Sequence, residues 1–506
     1  MLKIGLFSLA TLLLSLISQP AEAAPIIPIF GAIGVGAAAT FGISLVATSF
    51  VAIAIGAVIV GGVLYFASRA LKAKKAASRQ GPQGTLVSRS GSAERIPLIY
   101  GKRRLAGIRT FIANNGEENA DLYVVETICE GPIKGCSKIF FNDELAATST
   151  DDGATWTAES KYDGYLTITF YDGSQTTADG TLSGIDGWSS TDVGNKVAYA
   201  ILKLTWNQDT YGGGVPNVTY LVEGKLVPAI GSSQSSTLSY SNNPAEVVYD
   251  YLTNTLYGKA IPYTLIDTTS FNTIKNYCNE TVDKTSTDST QVTRYECNAY
   301  IDTDDTLLNN MQQLFSSFRG SLITGDKYKL IADKPKTWSG VTIDDDNIIG
   351  NIEFVQASKR SLLNHIKASI ANEVDDFNYQ EDIITVEDAT LQSSSVDGLK
   401  LSDDLELSAT TNVEMAERII TEELNSARQS GTVSVDVSTE LIRLEVGDVV
   451  KFSNSTLGQT DKLYSVIQTT LKPDNNLQLL LKEYDANTFW DNNKTIIQNN
   501  KDDTDH

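Results

Sequence analysis

Histidine is almost missing from this chain. Its 506 residues include two, His365 and the terminal His506. Imidazole acid–base catalysis and histidine-ligated metal centres therefore have next to no material. Cysteine is scarce too: Cys129, Cys136, Cys278 and Cys297 are the whole supply. Four in a chain this long build no disulfide scaffold. Cys129 and Cys136 flank Gly131-Pro132 and Gly135 without a neighbouring histidine, which argues against zinc. Cys278 and Cys297 either pair across a loop or stay as buried thiols. G-x-S-x-G and H-E-x-x-H are both absent, and with them the usual signatures of serine hydrolases and zinc peptidases. No catalytic, cofactor-binding or metal-binding residue is assigned, and no cofactor is expected.

Charge is missing from one long stretch. Between Ala23 and Ser68 there is no Asp, Glu, Lys, Arg or His, save Glu22 just before it. Residues 1–24 read as a signal-like segment: Lys3, an apolar run from Ile4 to Ile17, then Ala21-Glu22-Ala23. Residues 25–68, rich in Gly and Ala, exceed the ~20 apolar residues of one membrane span. An apolar helical segment is expected there, set in a bilayer or bundled in a protein lumen, with glycines allowing close approach. Residues 69–92 form a basic linker opening with Arg69, Lys72, Lys74, Lys75 and Arg79.

Positive charge is short in the remainder. From Thr110 onward there are 40 − 12 = 28 Lys and Arg against 62 − 2 = 60 Asp and Glu, a net of −32. Such a surface repels nucleic-acid backbones, whose binding relies on Lys and Arg neutralising phosphates.

What is present is strand-forming sequence interrupted by helical patches. Ile96–Gly107 reads as a strand, a glycine turn and a basic sheet edge guarded by Lys102, Arg103 and Arg104. Leu122–Ile128, Lys138–Asn142, Tyr165–Tyr171, Ala198–Trp206 and Val218–Val227 read as strands, Tyr165–Tyr171 by clear two-residue alternation. Pro244 opens a helix carrying Val247, Val248, Tyr251 and Leu252. Ser270 is the expected cap of a second, with Phe271, Ile274, Cys278 and Val282 inward. Asp304 or Asp305 is the expected cap of a third, with Leu307, Leu308, Met311, Leu314, Phe315 and Phe318 on one face, ended by Gly320. A hairpin follows around Gly325-Asp326. Ser361–Val374 is expected to be a helix, with Leu362, Leu363, Ile366 and Ile370 inward and His365 beside them. Asn412–Gln429 is another helix. Gly431–Val437, Val449–Phe452, Leu463–Thr470 and Leu477–Leu481 read as strands, and 491–506 as a disordered tail. The aspartates at 302, 304 and 305, and at 344–346, lack the glycine and terminal glutamate of a calcium loop.

The expected fold class is α+β and multidomain: a β-rich block at 93–235, a helical plus hairpin block at 240–340 and a mixed block at 341–490. Three or four domains suit this length at ~100–200 residues each.

Several stretches, taken in order, resemble the tail tip attachment, or central hub, proteins of long-tailed bacteriophages, the J-type family. They are Pro97-Leu98-Ile99-Tyr100-Gly101; Glu130-Gly131-Pro132-Ile133-Lys134-Gly135 before Ile139-Phe140-Phe141-Asn142-Asp143; and Glu223-Gly224-Lys225. Then come Asn243-Pro244-Ala245 with Asp250, Leu252-Thr253-Asn254, Tyr257-Gly258, Ser270-Phe271, Cys278 and Cys297-Asn298-Ala299-Tyr300, ending at Asp333-Lys334-Pro335. Val446-Gly447-Asp448-Val449-Val450 is the last. The resemblance implies tail-tube-like barrel domains with helical insertions. It implies a structural, non-enzymatic homotrimer at the virion tail tip, with tube, distal tail and tip or fibre proteins as partners. DNA would pass through without being specifically bound. Residues 25–68 add a host membrane as a further partner. Many J-type proteins continue into long receptor-binding regions that are not seen here. The alternative reading is an exported or membrane-anchored bacterial surface protein with an acidic β-rich ectodomain.

Overall fold

A computed structural model describes residues 64–65, 88–90, 94–285, 287–356, 362–374, 378–429, 431–472 and 474–491. The signal-like segment, almost all of the apolar segment and the tail after Asp491 lie outside these residues. Leu64–Tyr65 lies beside Gly320–Thr324 as a short strand. No helix among the described residues is long and apolar enough to cross a membrane.

Two sheets form the first body. One has the order Leu166–Tyr171, Val197–Thr205, Asp121–Glu130, Ile108–Asn115, Arg89–Ser90. The other has the order Leu238–Tyr240, Val218–Pro228, Ile133–Phe141, Glu144–Thr148, Thr157–Ala158, with Lys102–Ala106 also paired to Val218–Pro228. One apolar cluster joins them: Val124, Ile128 and Leu202 from the first meet Ile139, Tyr220 and Val222 from the second. The alternation read in Tyr165–Tyr171 sends Leu166, Ile168 and Phe170 to this cluster and Tyr171 to a smaller one on the opposite face. Asn142 and Asp143, at φ 50° and 67°, make the two-residue turn between Ile133–Phe141 and Glu144–Thr148. Asn and Asp tolerate that left-handed region, and such turns match the twist of the strands they join.

The second body is helical. Pro244–Thr253, Thr268–Asn279, Leu307–Ser316 and Val413–Ala427 pack with the hairpin Gly320–Thr324 and Tyr328–Ala332. A three-stranded sheet, Asn378–Glu387, His365–Val374 and Ser402–Glu406, closes the same cluster through Ile366, Ala368 and Ile370. The third body is a six-stranded sheet in the order Trp338–Ile343, Val449–Asn454, Gln459–Leu471, Asn476–Glu483, Gly431–Ser438, Ile348–Gln356. Strict alternation buries Val433, Val435, Val437, Leu477, Leu479 and Leu481 at its centre. The block at 341–490 thus feeds two cores: 365–427 leaves the six-stranded sheet, packs into the helical body and returns.

Five expectations need correction. Ser361–Val374 is not a helix: His365–Val374 is a strand. Ile366 and Ile370 are four apart, a spacing shared by both periodicities, and the burial of Ala368 between them decides for period two. Asp267, not Ser270, caps Thr268–Asn279, accepting from the amides of Thr269 and Ser270. Val282 lies beyond that helix, in Thr281–Asp283. Thr306, not Asp304 or Asp305, caps Leu307–Ser316, with its side chain accepting from the Asn309 amide. An Asp or Thr oxygen serves either cap, and such a cap is worth about 1 kcal/mol. The basic edge is no exposed guard, since Arg103 and Arg104 are each 1% exposed.

Candidate functional site

The β-sheet body and the helical body meet along one polar seam. Leu98–Tyr100 runs through it. Ile99 points into the β core, while Leu98 and Tyr100 point into the helical core. This is the two-faced placement that a strand imposes on successive side chains. Leu98–Tyr100 pairs antiparallel with Ala299–Ile301. Gly101, at φ +65°, turns the chain back into Lys102–Ala106, and a Cβ there would collide with the Cys297 carbonyl oxygen.

Asp250 lies at the centre, in Pro244–Thr253. Its Oδ2 accepts from the Tyr100 hydroxyl at 2.6 Å and from the Tyr257 hydroxyl at 2.7 Å. Burial pushes the Asp250 carboxyl up, against the opposing pull of the two hydroxyls and of Lys225. Lys225 is buried, donates through Nζ to the Gly131 carbonyl and lies 5.2 Å from the centre of the Tyr257 ring. Burial lowers its affinity for the proton, while Glu130 and Asp250 hold it. The seam is closed by backbone bonds: Glu130 N to Pro97 O at 2.9 Å and Gly224 N to Gly101 O at 2.7 Å. Asn298 ties in the remaining strands. Its Oδ1 accepts from Lys102 N at 2.9 Å, and its Nδ2 donates to Thr411 Oγ1 at 2.8 Å. Arg103 Nη1 donates to the carbonyls of Asn298 and Ser408 at 3.3 and 3.2 Å. Arg104 reaches Thr219 Oγ1 at 2.8 Å and Asp143 Oδ1 at 2.5 Å, and its guanidinium sits 4.0 Å from the centre of the Phe140 ring.

A second network lies inside the helical body. Arg319 Nη1 and Glu422 Oε2 are 2.6 Å apart with side chains 4% and 2% exposed. Asp333 takes the other Arg319 nitrogen at 2.5 Å. Burial works against the Arg319 charge, but Asp333, Glu422 and Glu423 outweigh it and hold the proton more firmly than in water. The Trp490 amide donates to Glu422 Oε1 at 3.0 Å.

The residues weighed as ligands do other work. Asp304 pairs with Arg95 at 3.0 Å, Asp302 Oδ1 accepts from the Asp304 amide and Asp305 from Asn309 Nδ2. Asp344, Asp345 and Asp346 line a depression of about 340 Å³ with Ser453 and Asn454, where Asp345 accepts from Asn454 Nδ2 at 2.6 Å. His365 Nδ1 sits 2.9 Å from Ser402 Oγ. Among the described residues, no three His, Cys, Asp or Glu side chains are placed to hold a metal ion. The motifs at 97–101, 130–135, 223–225, 243–258 and 297–300 all converge on the seam. Sequence reasoning missed the Arg319–Glu422 pair, whose partners are 103 positions apart and carry no local signature.

Residues 310–466 match a family described as "Putative phage tail protein". Baseplate hub protein pb3 of Escherichia phage T5 is 23% identical over 467 residues, covering 79% of this chain and 48% of that protein. Tip attachment protein J of Escherichia phage SECphi27 is 29% identical over 150 residues, covering 29% of this chain and 12% of that protein. The chain thus spans about half the length, or less, of these curated relatives. A chain from the virion of a native gene transfer agent particle superposes with a TM-score of 0.52 at 14% identity, covering 80% of this chain and 87% of that one. By sequence this chain is similar to baseplate hub and tip attachment proteins of phage tails, and in fold it is similar to a chain of a gene transfer agent virion.

Proposed function

We propose that the chain is a structural, non-enzymatic hub protein at the distal tip of a phage tail. In this reading it links the tail tube to the host-facing tip as a homotrimer and borders the channel through which DNA leaves. The observation that carries the proposal is the similarity to a baseplate hub protein over 79% of the chain, a length that spans more than any one of its cores. The buried seam supports it: a joint of rigid bodies held by hydrogen-bonded polar groups suits a part that transmits load. The net −32 of the body supports a wall that does not hold phosphates. The blocks at 93–235 and 240–340 serve as the building units meeting at the seam. In the same proposal the apolar segment ahead of the Leu64–Tyr65 strand would bundle in the lumen or enter the host membrane during delivery.

The test is a nonsense allele in a phage that carries this chain, with complementation by an epitope-tagged copy. Tails should fail to complete, tagged virions should label at the distal tail end, and the purified oligomer should have three-fold mass. Complete, infectious particles lacking the chain would overturn the reading. Deleting 25–63 should leave assembly intact and stop DNA delivery; normal delivery would remove the role given to that segment.

A further inference from the structure

The six-stranded sheet and the helical body have separate apolar clusters. Polar contacts connect them. Lys329 Nζ meets Glu445 Oε1 at 2.8 Å, and Lys336 Nζ donates to the Gly447 carbonyl at 2.6 Å. The chain crosses between the bodies at both ends of 365–427, and also at Asp333-Lys334-Pro335-Lys336-Thr337, where it enters the sheet, and after Glu483, where it last leaves it. The latter two crossings are pinned together: the Lys336 amide donates to the Tyr484 hydroxyl at 2.7 Å, and that hydroxyl donates to the Lys336 carbonyl at 3.1 Å. Bodies with separate cores are free to move relative to each other unless something holds them.

The segment after Tyr484 does the holding. It runs back over the helix Val413–Ala427. Phe489 and Trp490 are 2% and 4% exposed, and the Trp490 amide sits on Glu422. Asp491 grips Arg294 through both oxygens, at 2.8 and 3.1 Å. Arg294 is itself braced by Glu280 at 3.0 Å and stacked 4.5 Å from the centre of the Tyr277 ring. Gln429 Nε2 donates to Thr488 Oγ1.

We propose that Asp485–Asp491 is a latch that sets the orientation of the six-stranded sheet on the helical body, and that its release lets the sheet shift against that body without unfolding. The latch is distinct from the seam, which joins the first β-sheet body to the helical body, and it stands whether or not the chain is a tail hub. Its contacts are made by a few aromatic and charged side chains at the end of one strand. Such a segment detaches at lower cost than a core strand.

Hydrogen exchange on the full chain tests this with Trp490→Ala/Asp491→Ala. The Lys336 amide and the amides of 427–429 should exchange about tenfold faster, the signature of a local opening. The amides of Val433, Val435, Leu479 and Leu481 should keep their wild-type protection. Unchanged exchange at Lys336 would overturn the latch. So would a parallel rise at the core strands, which would make the segment part of the sheet's own stability. If the double variant does not fold, Asp491→Asn alone, which keeps Trp490 in place, should give a smaller rise at Lys336; no rise would overturn the proposal.

Discussion

The Tyr100 hydroxyl donates to Asp250 at 2.6 Å although 150 positions separate the two residues. One comes from the strand shared by two cores, the other from the helix Pro244–Thr253. The bond therefore fastens the β body to the helical body at a point where water does not compete. Tyr100→Phe removes one of two hydroxyl donors from a buried carboxylate and should cost ~1–3 kcal/mol. Tyr257→Phe should cost a similar amount. The double variant should cost more than the sum, because it leaves the carboxylate without either hydroxyl. Urea unfolding of the four proteins reads all three quantities.

Glycine at 224 is a steric necessity of the same seam. A Cβ there would collide with the Ile99 carbonyl oxygen and come within 2.7 Å of its carbon, both fixed backbone atoms. Gly224→Ala should destabilise by about 2 kcal/mol or more, or prevent folding. At Gly213 a Cβ would find nothing within 4 Å, so Gly213→Ala should be close to neutral. Thermal unfolding of the pair separates the effect of position from that of residue type.

Arg319 and Glu422 form a buried pair, and such pairs punish the loss of one member more than the loss of both. Arg319→Met should cost roughly 3–5 kcal/mol, because Glu422 is left buried without its cationic partner. Adding Glu422→Leu should restore part of that stability. A double-mutant cycle by chemical denaturation measures the coupling, and additive losses would refute it.

The four thiols should be silent in the folded chain. All four are free and buried. Burial pushes the thiols of Cys129 and Cys297 up to about 12, so the reactive thiolate is scarce. A thiol-reactive chromogenic disulfide should label none in native buffer and four in denaturant.

Much of this fold was legible where one periodicity applied without competition. Gly431–Ser438 and Asn476–Glu483 alternate cleanly because one face meets the core and the other meets solvent. Val413–Ala427 is a helix with Met415, Ile419 and Ile420 inward, flanked by the Asn412 cap. His365–Val374 misled because Ile366 and Ile370 satisfy both periods, and because partners at 378–387 and 402–406 supply the strand pairing. The buried arginines at 103 and 104 misled for a related reason. Charge suggests an edge, but their acceptors at Asn298, Ser408, Asp143 and Thr219 are distant in the chain. The seam motifs were visible as sequence. Their convergence on one place depends on long-range pairing that no local pattern encodes.

His365 gives the pH dependence a clean probe, since the only other histidine is the terminal residue. It is 1% exposed, and burial, aided by the positive charge of Lys400, lowers its pKa below the ordinary imidazole value. Lys367 pushes the same way, while Glu387 and Asp404 oppose. The unfolded chain therefore takes up this proton at a higher pH than the folded chain. Stability contributed by neutral His365 is fully present above the unfolded value of about 6.5 and is lost as pH falls from there through the lower folded value. His365→Gln removes that proton from both states, so its melting temperature should fall less than wild type between pH 7 and 5. Proton–nitrogen spectra of labelled histidine should show the His365 imidazole titrating below the ordinary value. Parallel melting profiles for the two proteins would show that His365 is not the titrating group.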